Sequence, residues 1–426
     1  MMRGQEDQVH FLSGKKIIVA GAGVSGLAFV IALHKLWPPS IEPPVVIIYD
    51  RDVQEAVAGR EGYSLSLNGL DRDSGLYALK QLGLLDDIIK LAIFRVEDQG
   101  QGKGHFTMWT HDFQPMITVR PKVIEDLPTA GMRIARKDLR HVLVEAASKS
   151  AEIRWGTTCT SVEQLDDGRV KLQLVKDGLV KTTEECDILV AADGASSKVR
   201  ACLRPEDGLQ FAGSVQFAGC AKFEGSLPSP LDTNWGGVLT GTGAACFFSL
   251  VDQDTLVWAL SILESQPRTK YDNGDPQQVE EFFRQARELG KDITEPYKTI
   301  VDATDPSTTI ILNAMDKRPF SHNMKTGHVL FIGDSNHAVS PFAGNGANLA
   351  LKDGWDLAEQ LCMSGNLAQA VVAYDKHSLP RAIATLKTSH WRIKVGHATG
   401  LGYWMYRIFF TAVGTMMRLF GQRESQ

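Results

Sequence analysis

The stretch from Lys15 to Arg51 constrains the fold more than any other part of this 426-residue chain. A short apolar run, Lys16 to Ala20, precedes three glycines, and a longer apolar segment follows them. This order predicts a strand, a tight turn and a buried helix. Gly21 permits the turn, Gly23 lets the backbone approach a pyrophosphate, and Gly26 lets the helix lie close to the strand. The helix N-terminus then offers unpaired N–H groups to the phosphates of a dinucleotide.

A carboxylate completes this unit. The second apolar strand, Val45 to Tyr49, ends at Asp50, whose side chain can accept hydrogen bonds from an adenosine ribose. A carboxylate at this point favours a ribose with free hydroxyls over one that carries a 2′-phosphate. Glycine turns alone are common, so it is the strand before, the helix after and the acid together that predict a dinucleotide site.

The composition argues against several kinds of partner. The net charge is −5, the isoelectric point is near 6.1, and Lys and Arg are scattered, so we expect no nucleic-acid partner. The six cysteines form no Cys-x-x-Cys pair and no His/Cys cluster has zinc spacing. We therefore expect free thiols and no metal. Residues 1–14 lack the apolar core of a signal peptide, which predicts a cytoplasmic protein.

The pattern of predicted strands and helices changes twice along the chain. Strand and helix patterns alternate in the first half, strand-like runs dominate the middle, and alternation then returns. An antiparallel sheet inserted between the halves of a nucleotide-binding fold explains this order. We predict an α/β (α+β) fold with a Rossmann-like nucleotide-binding domain at 14–204 and 316–380, a substrate-binding sheet domain at 205–315, and a C-terminal helical segment at 381–426.

A second glycine-rich loop lies far along the chain. The predicted strand His328 to Ile332 leads to Gly333 and Asp334, and Gly346 opens a predicted helix that reaches Leu361. This arrangement predicts a second helix N-terminus that binds an anion.

Four separated motifs occur in the order found in one family. They are the glycine fingerprint, Arg136 at a helix start, Ala191–Arg200, and Gly333–His337 followed by Pro341, Gly344, Gly346 and Asn348. Over roughly residues 14–380 the sequence resembles the class A, single-component FAD-dependent aromatic-type monooxygenases with the para-hydroxybenzoate hydroxylase fold. The segment order is most similar to the tetracycline-inactivating flavin monooxygenases and fungal natural-product oxygenases. Asp50 and Ala191 depart from the family pattern, which usually has glutamate and glycine there.

The resemblance implies that FAD is the cofactor. The candidate contacts are Gly21, Gly23, Gly26, Asp50, Arg51, Arg136, Asp193, Asp334, Gly346, Ala347 and Asn348. Asp334 would bind a hydroxyl on the ribityl or pyrophosphate side. The N–H groups at the start of the second helix would face the pyrimidine edge of the flavin, where reduction places negative charge.

The same resemblance implies the chemistry. NADPH or NADH reduces the flavin, O2 adds to form a flavin hydroperoxide, and one oxygen atom passes to the substrate, so we expect no side-chain nucleophile. Only one fingerprint is present, so the nicotinamide cofactor would bind transiently, with Arg60 as its candidate contact.

Aromatic residues of the inserted sheet predict an apolar cleft. We expect about half of them to be core and the rest to face the cofactor. The pocket candidates are Pro341, Phe342, Trp235 and Phe247. The predicted reaction is hydroxylation or epoxidation of a hydrophobic, aromatic or polycyclic secondary metabolite. The alternatives are a flavin reductase or halogenase on the same fold, although Trp258 lies outside any Trp-x-Trp-x-Ile-Pro motif, and a non-catalytic FAD-binding scaffold.

Residues 397–426 predict one amphipathic helix. Its apolar face comprises Leu401, Trp404, Met405, Ile408, Phe409, Ala412, Val413, Met416 and Phe420, with Arg407, Thr411, Arg418 and Gln422 towards the other side. We expect the apolar face to dock on the body of the protein. The alternative is peripheral contact with a membrane interface.

Overall fold

The computed structural model describes residues 10–53, 64–95, 104–119, 121–124, 126–252, 254–322 and 327–421. Strands and helices are numbered here in chain order. The helices are α1 (Val24–Leu36), α2 (Gly75–Leu82), α3 (Leu85–Lys90), α4 (Arg136–Ala147), α5 (Lys198–Leu203), α6 (Pro276–Leu289), α7 (Tyr297–Asp302), α8 (Asp334–His337), α9 (Gly346–Met363), α10 (Leu367–Gly396) and α11 (Gly400–Gly421).

A five-stranded parallel sheet forms the centre of the nucleotide-binding unit. Its order is β18 (Val329–Phe331), β12 (Ile188–Ala191), β1 (Lys16–Ala20), β2 (Val45–Tyr49) and β8 (Glu152–Arg154). The inner strands are covered on both faces, which explains their continuous apolar runs. α1 and α9 pack so closely that Gly354 of α9 has no room for a side chain. A Cβ added there would lie 2.6 Å from the backbone nitrogen of Phe29 in α1. The predicted β1, α1 and β2 are confirmed.

A seven-stranded sheet forms the second unit. Its order is β17 (Ile310–Asp316), β13 (Gln210–Lys222), β16 (Thr255–Leu263), β15 (Ala244–Leu250), β14 (Trp235–Leu239), β5 (Phe106–Thr110) and β6 (Pro115–Val119). All neighbours are antiparallel except β14 and β5. α6 and α7 cover one face around Phe282 and Ile300. Two strands come from residues 106–119, and the exact domain boundaries stay a prediction.

Two small sheets complete the fold. One contains β9 (Thr157–Gln164), β10 (Val170–Lys176) and β11 (Val180–Cys186), and the other contains β3 (Ser64–Asn68), β7 (Gly131–Ala135) and β4 (Ala92–Arg95). β3 joins the two larger units. The Ser64 hydroxyl donates to the Leu250 carbonyl of β15, and the Asn348 amide of α9 donates to the Ser66 carbonyl. The small sheet therefore lies at the seam between them.

The C-terminal helix docks by an unexpected face. Tyr403, Phe410 and Gly414 of α11 are buried, and a Cβ at Gly414 would lie 2.3 Å from the Met116 carbonyl oxygen of β6. The prediction that the larger apolar face docks is wrong, because its large residues are exposed: Leu401, Trp404, Met405, Ile408, Phe409 and Met416. The helix docks on the side where Gly414 allows its backbone to approach β6. Among the described helices, none is both long enough and apolar enough to cross a bilayer.

Candidate cofactor and substrate site

The first glycine turn has the geometry that a nucleotide-binding loop needs. Gly21 has φ +115°, and a Cβ there would lie 2.3 Å from the Ala192 carbonyl oxygen. A Cβ at Gly26 would lie 2.2 Å from the Gly21 carbonyl oxygen, so α1 can approach the turn only without a side chain. Gly23 differs, because its Cβ would meet only the Ala192 oxygen at 3.9 Å. The space beside Gly23 at the start of α1 is open, and no side chain caps this helix.

Asp50 holds this loop from the end of β2. One carboxylate oxygen accepts from the Ala22 N–H at 2.5 Å, and the other accepts from the Asp52 N–H at 2.8 Å. Burial raises the pKa of Asp50, although these backbone donors oppose the shift. A carboxylate oxygen can accept more than one hydrogen bond, so Asp50 can still bind a ribose. Arg51 is exposed and lies 3.8 Å from Asp52.

The Asp193 turn braces the site from β12. One Asp193 oxygen accepts from the Val199 N–H at 3.2 Å, while the other is buried without a hydrogen bond within the described part of the chain. Arg200, in the same motif, is buried and donates to the Ser335 carbonyl at 3.3 Å and to the Asn336 carbonyl. Through Arg200, the motif at residues 191–200 therefore fixes the loop after β18.

Asp334 lies at the end of the central sheet that the predicted cofactor site occupies. Asp334 begins α8 directly after Gly333, at the carboxyl end of the central sheet. Its side chain is exposed to solvent, but the carboxyl lies among many protein atoms, and this partial desolvation raises its pKa. The positive charges of His337 and Arg136 oppose that rise. A Cβ at Gly333 would lie 2.8 Å from the Ser25 hydroxyl, so this loop contacts α1 directly.

A buried ionic network supports the loop, and we did not predict it. His337 Nε2 lies 2.5 Å from one Asp353 oxygen, which also accepts from the Gly333 N–H at 2.9 Å. Arg381 donates to the other Asp353 oxygen at 2.9 Å and to Asp356 at 2.8 Å. Burial lowers the pKa of His337, but the Asp353 carboxylate outweighs burial and the net pKa is raised. Burial opposes ionisation of Asp353 too, yet His337 and Arg381 hold its pKa well below the usual range.

The N-terminus of α9 is the second predicted anion site. Asn345 precedes it without making a side-chain cap, so the N–H groups of Gly346, Ala347 and Asn348 keep their donor capacity. The Asn348 side chain accepts from the Asn68 N–H at 2.9 Å and the Gly75 N–H at 3.2 Å. Asn348 therefore positions the helix end by its side chain and offers only its backbone N–H to a ligand.

About half of the aromatic residues of the large sheet belong to the core, as predicted. Phe217, Phe248 and Trp258 are fully buried, whereas Trp235 and Phe247 are half-buried and their ring centroids lie 6.0 Å apart. Pro341 and Phe342 lie in a short 3-10 turn before α9, and the Phe342 ring contacts His397. The pocket itself stays a prediction. Arg60 lies outside the described residues.

The residues fit FAD. Two long helices present uncapped N-termini, Gly23 leaves space at the first of them, and Asp334 is exposed at the carboxyl edge between them. Ligands of open parallel sheets bind at this edge. Glycine motifs made this region predictable. The Asp353 network had no local signal, because its members are separated along the chain and acquire partners only on folding.

Comparison with known proteins agrees with this geometry. The family model described as FAD binding domain matches residues 72–389, and the chain belongs to this family. It is 45% identical over 396 residues to the monooxygenase cfoF of Aspergillus candidus, covering 92% of this chain and 94% of that protein. It is 26% identical over 388 residues to an FAD-dependent urate hydroxylase of Mycolicibacterium vanbaalenii, covering 90% and 89%.

Solved structures share the fold. HpxO of Klebsiella pneumoniae, complexed with FAD and uric acid, has a TM-score of 0.73 at 18% identity and covers 95% of this chain and 94% of its own. The tetracycline destructase Tet(51) has a TM-score of 0.63 at 18% identity, with 95% and 98% covered. Fold, site and family together define the class as FAD-dependent monooxygenases, and this chain is an oxidoreductase of that class.

Proposed function

We propose that the chain uses NADPH or NADH and O2 to insert one oxygen atom into a hydrophobic, aromatic or polycyclic secondary metabolite. The observation that carries the substrate class is the placement of Trp235 and Phe247. Both keep part of their surface exposed while neighbouring aromatics of the same sheet are fully buried. Partly exposed aromatic rings beside a cofactor site favour a flat apolar ligand.

The chain's own residues would bind and orient FAD. The α1 N-terminus and Asp50 suit the adenosine and pyrophosphate side, while Asp334, Arg136 and the α9 N-terminus suit the ribityl and flavin side. When bound, FAD supplies the oxygen-activating chemistry. Protein side chains then exclude water, and the fixed N–H groups of α9 stabilise negative charge without reorganisation.

Substrate-stimulated NADPH oxidation tests this function. The FAD-loaded protein is mixed with NADPH under 18O2, with and without a panel of polycyclic phenols. We expect slow oxidation alone, faster oxidation with a true substrate, and one labelled oxygen in the product. Unlabelled product, or oxidation at one rate under all conditions, would instead support the reductase or scaffold alternatives.

We further propose that the outer face of α11 contacts an anionic membrane surface. Seven large apolar residues of this helix are each 53–79% exposed: Leu401, Trp404, Met405, Ile408, Phe409, Met416 and Leu419. Scattered single apolar residues are normal on a surface, but a continuous row along one helix indicates a contact face. Burial of such a row in a lipid interface removes apolar surface from water.

The positive charge of the C-terminal segment favours an anionic lipid surface over a second copy of the chain. Residues 376–423 contain eight Lys and Arg and no Asp or Glu, although the whole chain has 45 Lys and Arg against 50 Asp and Glu. The remainder therefore has 37 against 50. Only Arg407 and Arg418 of these eight lie in the described part of α11; five lie in α10, where Arg381 is held by Asp353. A second copy would bring the same cationic segment into the interface, whereas each basic residue near an anionic lipid surface gains about 1 kcal/mol.

Vesicle sedimentation tests the contact. We expect the wild-type protein to sediment with phosphatidylserine-containing vesicles and much less with phosphatidylcholine alone. The double variant Ile408→Asp/Phe409→Asp should remain in the supernatant with unchanged thermal stability, because both side chains are exposed. Val372→Asp, at an exposed apolar residue outside α11, is the matched control and should sediment normally. The wild-type protein and the Val372→Asp control could instead form a dimer that the double variant does not form. That result would show that a second copy of the chain, and not a membrane, covers this face.

A further inference from the structure

Arg133 is a buried cation that has no carboxylate partner among the residues that the structure describes. It lies on β7 with 5% of its surface exposed. Its guanidinium donates to the Ser66 hydroxyl at 2.5 Å, and to the carbonyl oxygen and hydroxyl of Ser64. Its Nε is buried and makes no hydrogen bond, and no described carboxylate pairs with it. Three neutral oxygens are therefore its only hydrogen-bond partners among the described residues.

Two other largely buried arginines, Arg200 and Arg381, do have carboxylate partners. Arg200 lies 3.0 Å from Asp207, and Arg381 lies within 2.9 Å of both Asp353 and Asp356. A buried charge without a partner costs several kcal/mol, so folds normally pair such groups. Burial lowers the pKa of Arg133 to about 9, which reflects the same cost. The exception at Arg133 therefore requires a reason beyond stability.

Its position supplies that reason. Ser66 accepts from Arg133 through its hydroxyl and from Asn348 through its carbonyl, so a single residue separates the guanidinium from the α9 N-terminus. On the other side, the guanidinium lies 5.4 Å from the centroid of the Trp235 ring. Arg133 thus lies between the helix end assigned to the flavin and the aromatic residues assigned to the substrate.

We propose that Arg133 is the anion-binding residue of the substrate site, and that the substrate is an aromatic compound carrying a carboxylate or phenolate. This inference rests on the proposed function. The anion accepts hydrogen bonds from the guanidinium while the ring of the substrate packs against the indole of Trp235. Charge-assisted hydrogen bonds are the stronger kind, and they strengthen further where water is excluded. The site therefore selects acids and phenolates over neutral aromatic compounds of the same shape.

Matched acid and amide probes test the inference on the FAD-loaded protein. Benzoate is compared with benzamide and 2-naphthoate with 2-naphthamide, with binding followed by the change in flavin absorbance. We expect the wild-type protein to bind each acid at least about tenfold more tightly than its amide, since hydrogen bonds to charged groups are stronger than hydrogen bonds to neutral groups. Arg133→Gln should remove that preference, and Arg133→Lys should keep part of it. Arg287→Gln, which removes one exposed positive charge elsewhere, should change nothing.

Each other outcome overturns the inference. An equal preference for acids in wild type and Arg133→Gln would place the anion elsewhere. Wild-type protein that binds acid and amide equally, or binds no probe up to its solubility limit, would contradict an anion site. If Arg133→Gln lowers thermal stability and weakens acid and amide alike, Arg133 only joins β3 to β7. Failure of the proposed function is distinct, because it would show as absent FAD uptake or unstimulated NADPH oxidation in the wild-type protein.

Discussion

The N-termini of α1 and α9 serve the same proposed cofactor but are built by opposite means. The α1 end depends on missing side chains, because a Cβ at Gly21 or Gly26 would lie 2.2–2.3 Å from a carbonyl oxygen. The α9 end depends on side chains that reach across the fold, namely Asn348 to β3 and α2, and Asp353 to His337 and Arg381. The α1 end depends on local steric requirements, whereas the α9 end depends on contacts between distant parts of the chain. Substitutions should therefore damage them differently.

The largest expected effect on the free energy of unfolding is at Asp353, in the network that supports the α9 end. Asp353→Asn should lower the free energy of unfolding by about 3–5 kcal/mol, because it leaves His337 without its buried counter-charge and leaves Arg381 with Asp356 as its remaining carboxylate. Urea unfolding of the FAD-free protein measures this loss. Asp167→Asn removes an exposed carboxylate that pairs with Arg169 and should cost at most about 1 kcal/mol. Equal losses in the two variants would show that the network contributes no more than a surface ion pair.

Gly21→Ala should come next, at about 2–4 kcal/mol, from an unfavourable φ and contact with the Ala192 carbonyl. Gly178→Ala separates the two causes. Gly178 has φ +73°, but no atom lies within 4 Å of the point that a methyl group would occupy, so only the backbone cost of about 1 kcal/mol remains. A similar loss for both variants would mean that the close contact at Gly21 relaxes without cost.

Asn348→Ala tests whether the α9 end is held by its side chain. It removes acceptors for two backbone N–H groups and should cost about 1–3 kcal/mol, with weaker FAD binding because the helix end shifts. Asn366→Ala is the control, since Asn366 caps only its own helix α10 and should cost about 1 kcal/mol without changing the FAD dissociation constant. Equal FAD affinities in the two variants would contradict a positioning role for Asn348.

The pH dependence of stability should identify the His337–Asp353 pair. The folded pKa of His337 is raised, so its contribution is present below the unfolded value of about 6.5 and is lost as pH rises through the folded pKa. The folded pKa of Asp353 is lowered, so its contribution is present above about 3.9 and is lost as pH falls. Urea titrations from pH 4 to 9 should show a flatter alkaline limb for His337→Asn than for wild type. An unchanged alkaline limb would mean that His337 is not charged in the folded protein.

The smallest effect on stability should accompany a selective loss of cofactor. Gly23→Ala places a methyl group where the nearest protein atom is 3.9 Å away, so the free energy of unfolding should change by less than about 0.5 kcal/mol. FAD binding should weaken clearly, because the methyl group enters the space assigned to the pyrophosphate. Titration of the FAD-free protein with FAD measures this. Unchanged affinity would move the pyrophosphate away from Gly23.

Much of the fold could be predicted because its signals are local. β1, α1 and β2 follow from an apolar run, three glycines and a second apolar run, and the order of later motifs placed Asp193, Asp334 and Gly346 on the same fold. The contribution of residues 106–119 to the large sheet could not be predicted. Strand partners are chosen across the chain, and β5 pairs with β14 more than a hundred residues later.

The sequence by itself determined the steric requirements: which turns need glycine and which runs are apolar on both faces. These are properties of single residues and their immediate neighbours. Only the tertiary structure decided which charges are paired and which helix face is covered. Arg133 and Arg381 are the same residue type, yet within the described part of the chain only Arg381 meets carboxylates after folding. On α11, apolar residues lie on several sides, and Gly414 set the docking face because only a residue without a side chain lets the helix backbone reach the Met116 carbonyl.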